Sequence, residues 1–396
     1  MKKIKVLYLV GGTADKYGAS ILANNIIREL NKNDALDLLV ITAKKGTTNI
    51  LCDELGIENY YSCYQETIYV PLSNRLLDSG KHFIKKKIIQ KANIDSLRFI
   101  EKKINLHSVD IIHSNLNRDV IGGMIHERHG IPHVWHLQEM VNAHFNIKPI
   151  YDEQFSWMNK NGTRFIAISK TVAHDWSNSG LDKNKIDIVY NGINIHGYRQ
   201  RGIQEKSNKM KIIMAGMIYK EKGQEDVIRA LSLLPSLVKE NIRLDLYGGI
   251  KTDYKNHLEL LIKELNLTKN IVFKGYSTAL AETLCEYDIG INCSKAEGFG
   301  LSTLEYMTAG LCVIASNSGA NCELIENEFN GLLFQYGSNE QIAKAIEKLW
   351  DNQPLRDQLS KNAKSSAECF SIERCADGVY STYLNVLKND NSKNRF

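Results

Sequence analysis

The chain lacks the long apolar run and the clustered cysteines that mark several classes of protein. No run approaches the roughly 18 apolar residues that a membrane-spanning helix needs. The eight cysteines include no Cys-x-x-Cys pair, which argues against a zinc site or a disulfide framework. The apolar stretch from Val6 to Val10 is short and runs into two glycines, so it predicts a buried first strand and not a secretion signal. We therefore expect a cytoplasmic globular protein.

Short apolar, β-rich runs alternate with longer amphipathic runs along the chain. KVLYLV and LDLLVIT are typical of the first kind, and SILANNIIRELNK is typical of the second. Continuous apolar strands separated by helices predict parallel sheets that are covered on both faces. The strand candidates form two sets, separated by a polar, glycine-containing segment at residues 192–209. The sequence thus predicts two doubly wound α/β domains, with functional residues in the loops that follow strands.

The segment EGFGLSTLE, residues 297–305, follows a predicted strand and leads into a predicted helix. Gly298 and Gly300 would let a ligand approach the backbone closely. Backbone amides at the start of the helix favour an anion. Glu305, in about the first turn, could accept two hydrogen bonds from a vicinal diol such as that of ribose. Taken alone, Glu297 and Glu305 are equally well explained as solvated surface residues.

The surrounding sequence favours the functional interpretation. AEGFGLSTLEYMTAGLCVIASNSGANCELIENEFNGLLF resembles the E-x7-E segment of the family 4 retaining glycosyltransferases. SKTVAHDWSNSGLDKNKIDIVYNGIN resembles their Ser-rich turn and Asn-Gly-Ile hinge, and MAGMIYKEKGQEDVIRAL resembles their basic phosphate-binding loop. The resemblance covers residues 4–385 and is strongest from 160 to 335.

The resemblance implies the GT-B fold, in which two Rossmann-like domains face each other across a cleft. Here the N-terminal, acceptor-side domain would comprise residues 1–192 and the nucleotide-sugar-binding domain residues 210–369, joined by a linker at 193–209. A last helix at about 370–390 would pack back on the first domain.

The resemblance also implies roles for individual residues. Glu305 would hold the ribose of a nucleotide sugar, and Glu297 would contact the sugar ring. Lys222 would neutralise the leaving diphosphate, an electrostatic contribution that is often the largest in catalysis. The remaining donor-binding positions would be the backbone amides of Phe299, Gly300 and Leu301 and, in the N-terminal domain, Gly18.

Two N-terminal features match the family less specifically. The loop VGGTADKYGAS lacks the G-x-G-x-x-G spacing of nicotinamide-binding proteins, and Gly18 at its end matches the family glycine that approaches the diphosphate. A purely structural turn is the alternative. His136, in GIPHVWHLQEM, matches a family histidine that contacts the donor sugar, whereas most single histidines are structural.

One position departs from the family pattern. The family commonly has an arginine directly after the glycine of the phosphate-binding loop, and this chain has Met217 there. Methionine offers neither charge nor hydrogen-bond donor. Either the site uses the single cation Lys222, or another residue such as Lys220 replaces the arginine.

The segment GKHFIKKKIIQK carries five lysines: Lys81, Lys85, Lys86, Lys87 and Lys91. A solvated helix is one interpretation. The other is a peripheral contact of residues 81–91 with the anionic inner face of a membrane, which would imply a lipid-linked acceptor. Aromatic residues are too sparse here for a nucleic-acid site.

The sequence therefore predicts a retaining hexosyltransferase that moves a sugar from a nucleotide diphosphate to a hydroxyl group of a glycan or lipid-linked acceptor. A UDP-sugar is favoured over a GDP-sugar. No Asp-x-Asp motif is present, so we expect neither a metal nor a cofactor. The alternatives are a nucleotide-sugar epimerase of the same fold and a binding protein that has lost catalysis.

Overall fold

The computed structural model describes residues 2–11, 18–69, 75–141, 148–151, 153–199 and 209–393. The chain forms two compact units. Unit 1 comprises Met1–Gly192 and Ile372–Phe396, and unit 2 comprises Ile193–Ser371. Of the predicted linker at 193–209, residues 193–199 belong to unit 2, and residues 200–208 lie outside the described residues.

Unit 1 alternates strands and helices. Its elements up to Gly192 are β1 (Ile4–Val10), α1 (Gly18–Leu30), β2 (Leu36–Thr42), α2 (Thr47–Glu54), β3 (Glu58–Tyr61), β4 (Ile68–Tyr69), α3 (Arg75–Lys103), β5 (Ile111–Ser114), α4 (Ile121–His129), β6 (His133–Leu137), β7 (Lys148–Pro149), α5 (Gln154–Asn161), β8 (Arg164–Ala167), α6 (Lys170–Asn178) and β9 (Ile186–Ile188). Seven of the strands form a sheet in the order β3-β2-β1-β5-β6-β8-β9, and every pairing in it is parallel. β4 and β7 form a separate antiparallel pair.

Unit 2 repeats the same plan. Its elements are β10 (Met210–Ala215), α7 (Gln224–Leu233), α8 (Ser236–Glu240), β11 (Ile242–Tyr247), α9 (Thr252–Glu264), β12 (Ile271–Gly275), α10 (Leu280–Thr283), β13 (Ile289–Asn292), α11 (Leu301–Ala309), β14 (Cys312–Ser316), α12 (Asn321–Leu324), β15 (Leu332–Phe334), α13 (Asn339–Trp350) and α14 (Gln353–Ala367). The six strands form a parallel sheet in the order β12-β11-β10-β13-β14-β15.

After unit 2 the chain returns to unit 1 as α15 (Ile372–Lys393). The sheet of unit 1 is covered on both faces. Val6, Tyr8 and Val10 of β1 pack with apolar residues of α1 and α15, while Leu7 and Leu9 pack with apolar residues of α3 and α4. This two-sided burial explains why the strands read as continuous apolar runs instead of an alternating pattern.

No helix among the described residues combines the length and the apolar content that crossing a membrane requires. The basic segment predicted at residues 81–91 lies within α3, a helix of 29 residues.

The packing of α11 against β13 provides a test of the fold. A Cβ atom on Gly290 would lie 2.2 Å from the ring of Tyr306, so Gly290→Ala should overpack this contact and lower the free energy of unfolding by about 1–3 kcal/mol. Gly249→Ala is the matched control, because a Cβ atom there would meet no other atom within 4 Å, and we expect a change within about 0.5 kcal/mol. Urea unfolding measures both values, and equal stabilities of the two variants would contradict the packing.

Candidate functional site

The predicted site of unit 2 lies where its sheet reverses strand order, between β10 and β13. Ligands of open parallel sheets bind beyond the carboxyl ends of the strands at such a reversal. Lys222 follows β10, and Glu297 follows β13. Gly223 has a φ of 76°, and a Cβ atom there would lie 2.5 Å from the carbonyl oxygen of Cys293. The two loops therefore pack directly against each other.

Lys222 and Glu297 form an ion pair, with Nζ 2.9 Å from Oε2 and most of both side chains buried. Burial lowers the pKa of Lys222, but the adjacent Glu297 carboxylate and the nearby Tyr219 together outweigh burial and leave the pKa above its ordinary value. Burial raises the pKa of Glu297, but the charge of Lys222, helped by hydrogen bonds from Ser294 and Asn292, outweighs burial and leaves the pKa lowered. Both groups therefore stay charged. The structure brings together two predicted residues that are 75 positions apart.

Helix α11 begins at Leu301, directly after the Gly-Phe-Gly turn. Gly300 is its N-cap, with a φ of 93° that side-chain-bearing residues rarely adopt, and it supplies no side chain to cap the first turn. Amides at such a helix start can donate to an anion. The ring of Phe299 is buried edge-on against that of Phe370, with centroids 5.9 Å apart, so this side chain packs inside unit 2.

Glu305 lies in the second turn of α11, because the helix begins at Leu301. The hydroxyl group of Tyr198 donates a hydrogen bond to its Oε1 atom at 3.1 Å. Burial raises the pKa of Glu305 to about 7, and the hydrogen bond from Tyr198 opposes that rise. No motif in the sequence singles out Tyr198. Its only signal was its position in the polar segment after Asn-Gly-Ile, where no pattern indicates which side chain turns inward.

Met217 stands where the family commonly has an arginine. Its side chain is 38% exposed, and its carbonyl oxygen accepts a hydrogen bond from Gln224 at 3.2 Å. Lys220 is exposed and forms no ion pair among the described residues, whereas Lys222 is paired with Glu297. Whether Lys220 replaces the family arginine stays a prediction.

The two N-terminal candidates belong to unit 1. α1 begins at Gly18, and the preceding residues 12–17 lie outside the described residues. His136 is the fourth residue of β6, is fully buried, and has no hydrogen-bond partner on either ring nitrogen among the described residues. Burial lowers its pKa to about 3, so the imidazole is neutral. His133, by contrast, is satisfied by Ser114 and by the carbonyl oxygen of Asn161.

Other buried polar atoms without partners lie at the same end of the unit 1 sheet. They include Gln138 Nε2, Asn191 Oδ1 and both carboxyl oxygens of Asp119. No motif in the sequence singles out any of these three residues. Gln138 and Asn191 lie at the ends of predicted strands and Asp119 lies shortly after one, but many residues share such positions, and burial without a partner is visible only in the structure.

No group of three or more histidine, cysteine, aspartate or glutamate side chains able to hold a metal occurs in the described parts of the chain. The absence of a metal requirement stays a prediction.

Two doubly wound parallel sheets, one of them with a cation, a carboxylate and a helix start at its strand reversal, place the chain among the doubly wound α/β proteins. The family model for glycosyl transferases group 1 matches residues 199–366, and the model for glycosyltransferase family 4 matches residues 71–196. Together they cover well over half of the chain. The chain belongs to the family 4 glycosyltransferases, as the resemblance predicted.

Two curated relatives illustrate the range of the family. An uncharacterized glycosyltransferase of Methanocaldococcus jannaschii is 32% identical over 254 residues, which is 61% of this chain and 62% of that protein. The UDP-Gal:alpha-D-GlcNAc-diphosphoundecaprenol alpha-1,3-galactosyltransferase of Escherichia coli is 22% identical over 86% of this chain and 89% of that protein. The match to the archaeal relative thus spans less than two thirds of its length.

Solved structures confirm the predicted GT-B fold. HepE of Anabaena, in complex with UDP, superposes with a TM-score of 0.76 at 19% identity and covers 96% of this chain and 100% of that chain. WaaG, a glycosyltransferase involved in lipopolysaccharide biosynthesis, gives a TM-score of 0.65 at 15% identity, covering 95% and 98%.

The raised pKa of Glu305 predicts a pH dependence of stability. The folded protein holds this proton more tightly than the unfolded chain, so the stabilising contribution is complete below about pH 4.5 and is lost as the pH rises through about 7. Glu305→Gln should remove this component. We expect the free energy of unfolding of wild type, relative to Glu305→Gln, to fall between pH 4.5 and pH 7. A difference that is constant with pH would contradict the burial of this carboxyl group.

Proposed function

We propose that the protein transfers a hexose from a nucleotide diphosphate sugar, with UDP favoured over GDP, to a hydroxyl group of a glycan or lipid-linked acceptor, with retention of configuration. The observation that carries the proposal is the buried Lys222–Glu297 pair beside the start of α11 at the strand reversal of unit 2. The UDP complex of HepE and the UDP-Gal-dependent E. coli relative support the choice of donor.

Unit 2 offers each part of such a donor a suitable partner. An ionised Glu305 carboxylate can accept hydrogen bonds from the two ribose hydroxyls, each worth about 1.5–3 kcal/mol. The Lys222 ammonium and the amides at the start of α11 can stabilise the diphosphate as negative charge develops on it. Glu297 keeps Lys222 charged in its buried position.

We propose that the reaction needs no resident metal. Lys222 and the helix start would supply the positive potential that a divalent cation supplies in other nucleotide-sugar enzymes. In the retaining reaction we propose, a phosphate oxygen of the leaving group accepts the proton of the acceptor hydroxyl, and His136 contacts the sugar as a neutral imidazole. This histidine is not proposed as a general base.

Radiolabelled UDP-glucose and UDP-galactose, incubated with EDTA and with or without a synthetic N-acetylglucosamine diphosphate lipid, test the function. Transfer that needs the acceptor supports the proposal. Conversion of donor without acceptor indicates the epimerase, and donor recovered intact after binding indicates the inactive binding protein. Loss of transfer in EDTA would refute independence from metal.

The same assay tests the roles of the site residues. Glu305→Ala should raise the Kd of the donor by about tenfold or more, because the ribose loses a charged acceptor. Lys222→Met should mainly lower kcat, because the developing phosphate charge loses its cation. Lys211→Met, an exposed lysine of β10 outside the site, is the matched control. Unaltered kinetics in both site variants would refute these roles.

We also propose that residues 81–91 contact an anionic membrane surface. On α3, the apolar side chains of Phe83, Ile84 and Ile88 are each about 60% exposed. Lys87 and Lys91 are exposed within the same arc of the helix. An exposed apolar stripe among lysines matches the chemistry of an anionic lipid surface better than that of a neutral partner. A lipid-linked acceptor would then be reached at that surface.

Vesicle sedimentation tests this contact. We expect binding to vesicles that contain phosphatidylglycerol and little binding to pure phosphatidylcholine. Replacing Lys87 and Lys91 by glutamate should weaken binding by about fivefold or more for each lysine. Replacing Lys102 and Lys103, exposed at the other end of α3, is the charge-matched control. Equal binding to both vesicle types, or equal loss in both pairs of variants, would indicate a solvated helix instead.

A further inference from the structure

Asp119 lies at the strand reversal of unit 1. The sheet order reverses between β1 and β5, so the carboxyl ends of these two strands border the crevice in which doubly wound sheets bind ligands. Gly11 directly follows β1, and Asp119 lies in the loop between β5 and α4. This aspartate belongs to no recognised motif and has no part in the proposed donor site of unit 2.

The Asp119 carboxyl group is packed tightly against the backbone of Gly11. Asp119 is fully buried, and neither carboxyl oxygen has a hydrogen-bond partner among the described residues. A Cβ atom on Gly11 would lie 2.4 Å from Asp119 Oδ2, so the carboxyl group occupies space that only glycine leaves open. Burial raises the pKa of Asp119 well above its ordinary value, and Glu66 adds to this effect while Arg118 opposes it.

Arg118, the cation whose charge opposes the raised pKa of Asp119, forms no ion pair with it in the described part of the chain. Arg118 forms ion pairs with Glu66, at 3.6 Å, and with Glu139. A buried polar group without a partner costs free energy, and native structures rarely keep one without a reason. Asn117 Oδ1, in the same loop, is also buried without a partner in the described structure.

An aspartate at the opposite end of β5 shows how a structural carboxylate differs. Asp110 precedes this strand, and its Oδ2 atom accepts a hydrogen bond from the backbone amide of Lys5 at 2.8 Å. Its Oδ1 atom accepts one from Lys2 at 3.3 Å. The two aspartates thus differ in hydrogen bonding as well as in position. Asp119, the one without partners among the described residues, lies at the end of the sheet where doubly wound folds bind ligands.

We propose that Asp119 is a further sugar-binding residue, whose carboxyl group accepts a hydrogen bond from a hydroxyl group of a sugar substrate. The proposal rests on the glycosyltransferase function proposed above. A sugar hydroxyl is a small donor that can satisfy a desolvated carboxyl oxygen without bringing a charge. The sugar belongs either to the nucleotide donor or to the acceptor, and kinetics distinguish the two.

Asp119→Asn tests the proposal in the full-length protein. We expect a rise of about fivefold to tenfold in the KM of one substrate, because asparagine offers the sugar hydroxyl group a neutral acceptor in place of a charged one. A rise for UDP-glucose identifies the donor sugar, and a rise for the synthetic N-acetylglucosamine diphosphate lipid identifies the acceptor. Calorimetric binding of UDP alone should not change. Asp110→Asn, the same chemical change at the satisfied site, should leave both KM values unchanged.

The unfolding temperature of Asp119→Asn distinguishes a substrate-binding role of Asp119 from a structural one. Asparagine needs no ionisation in a buried position, so Asp119→Asn should unfold at the same temperature as wild type or higher at pH 8. Gly11→Ala should reproduce the rise in KM, because its methyl group displaces the carboxyl group. A destabilised Asp119→Asn protein with unchanged KM values would overturn the inference and assign a structural role.

The two proposals fail in different ways. Unchanged KM values in Asp119→Asn, with a wild-type protein that transfers sugar, overturn only the role of Asp119. A wild-type protein that binds UDP-glucose but transfers nothing overturns the proposed function and the substrate role of Asp119 with it.

Discussion

The Lys222–Glu297 ion pair is the contact on which the candidate site of unit 2 depends. Two charges in a largely buried position are tolerated only when each satisfies the other, and removing one would leave the other uncompensated. The pair forms because parallel strands β10 and β13 end side by side, which places their following loops in contact. The pair thereby keeps the lysine charged at the carboxyl ends of the central strands, where a phosphate group would need a cation.

The position of α11 follows from the same sheet. The hydroxyl group of Tyr306 accepts a hydrogen bond from the backbone amide of Ala215 at 2.6 Å, which ties the helix to the end of β10. The absence of a side chain on Gly290 allows the Tyr306 ring to lie directly on β13. Because Glu305 precedes Tyr306, these core contacts fix the carboxylate as well as the helix start. Helix α11 therefore carries both the core contacts of Tyr306 and the candidate functional carboxylate of Glu305.

In unit 1, hydrogen-bond partners separate the buried polar residues with a structural role from the candidate functional ones. His133 and Asp110 are satisfied inside the protein, whereas His136 and Asp119 are buried without partners in the described residues. Desolvation without compensation is unfavourable, so the second pair reduces stability unless a ligand completes its hydrogen bonds. Both residues lie toward the carboxyl ends of strands, where the fold presents side chains to ligands.

The sequence by itself determined the class of fold and the elements that carry the site, because continuous apolar strands and a strand-turn-helix pattern around residues 297–305 depend only on local order along the chain. It also placed Lys222, Glu297 and Glu305 in loops or helices that follow strands. Only the tertiary structure decided that Lys222 meets Glu297, that Tyr198 meets Glu305, and that Asp119 is buried against Gly11. Those contacts join residues far apart along the chain, and their geometry arises from the order of strands in a sheet, which no local pattern encodes.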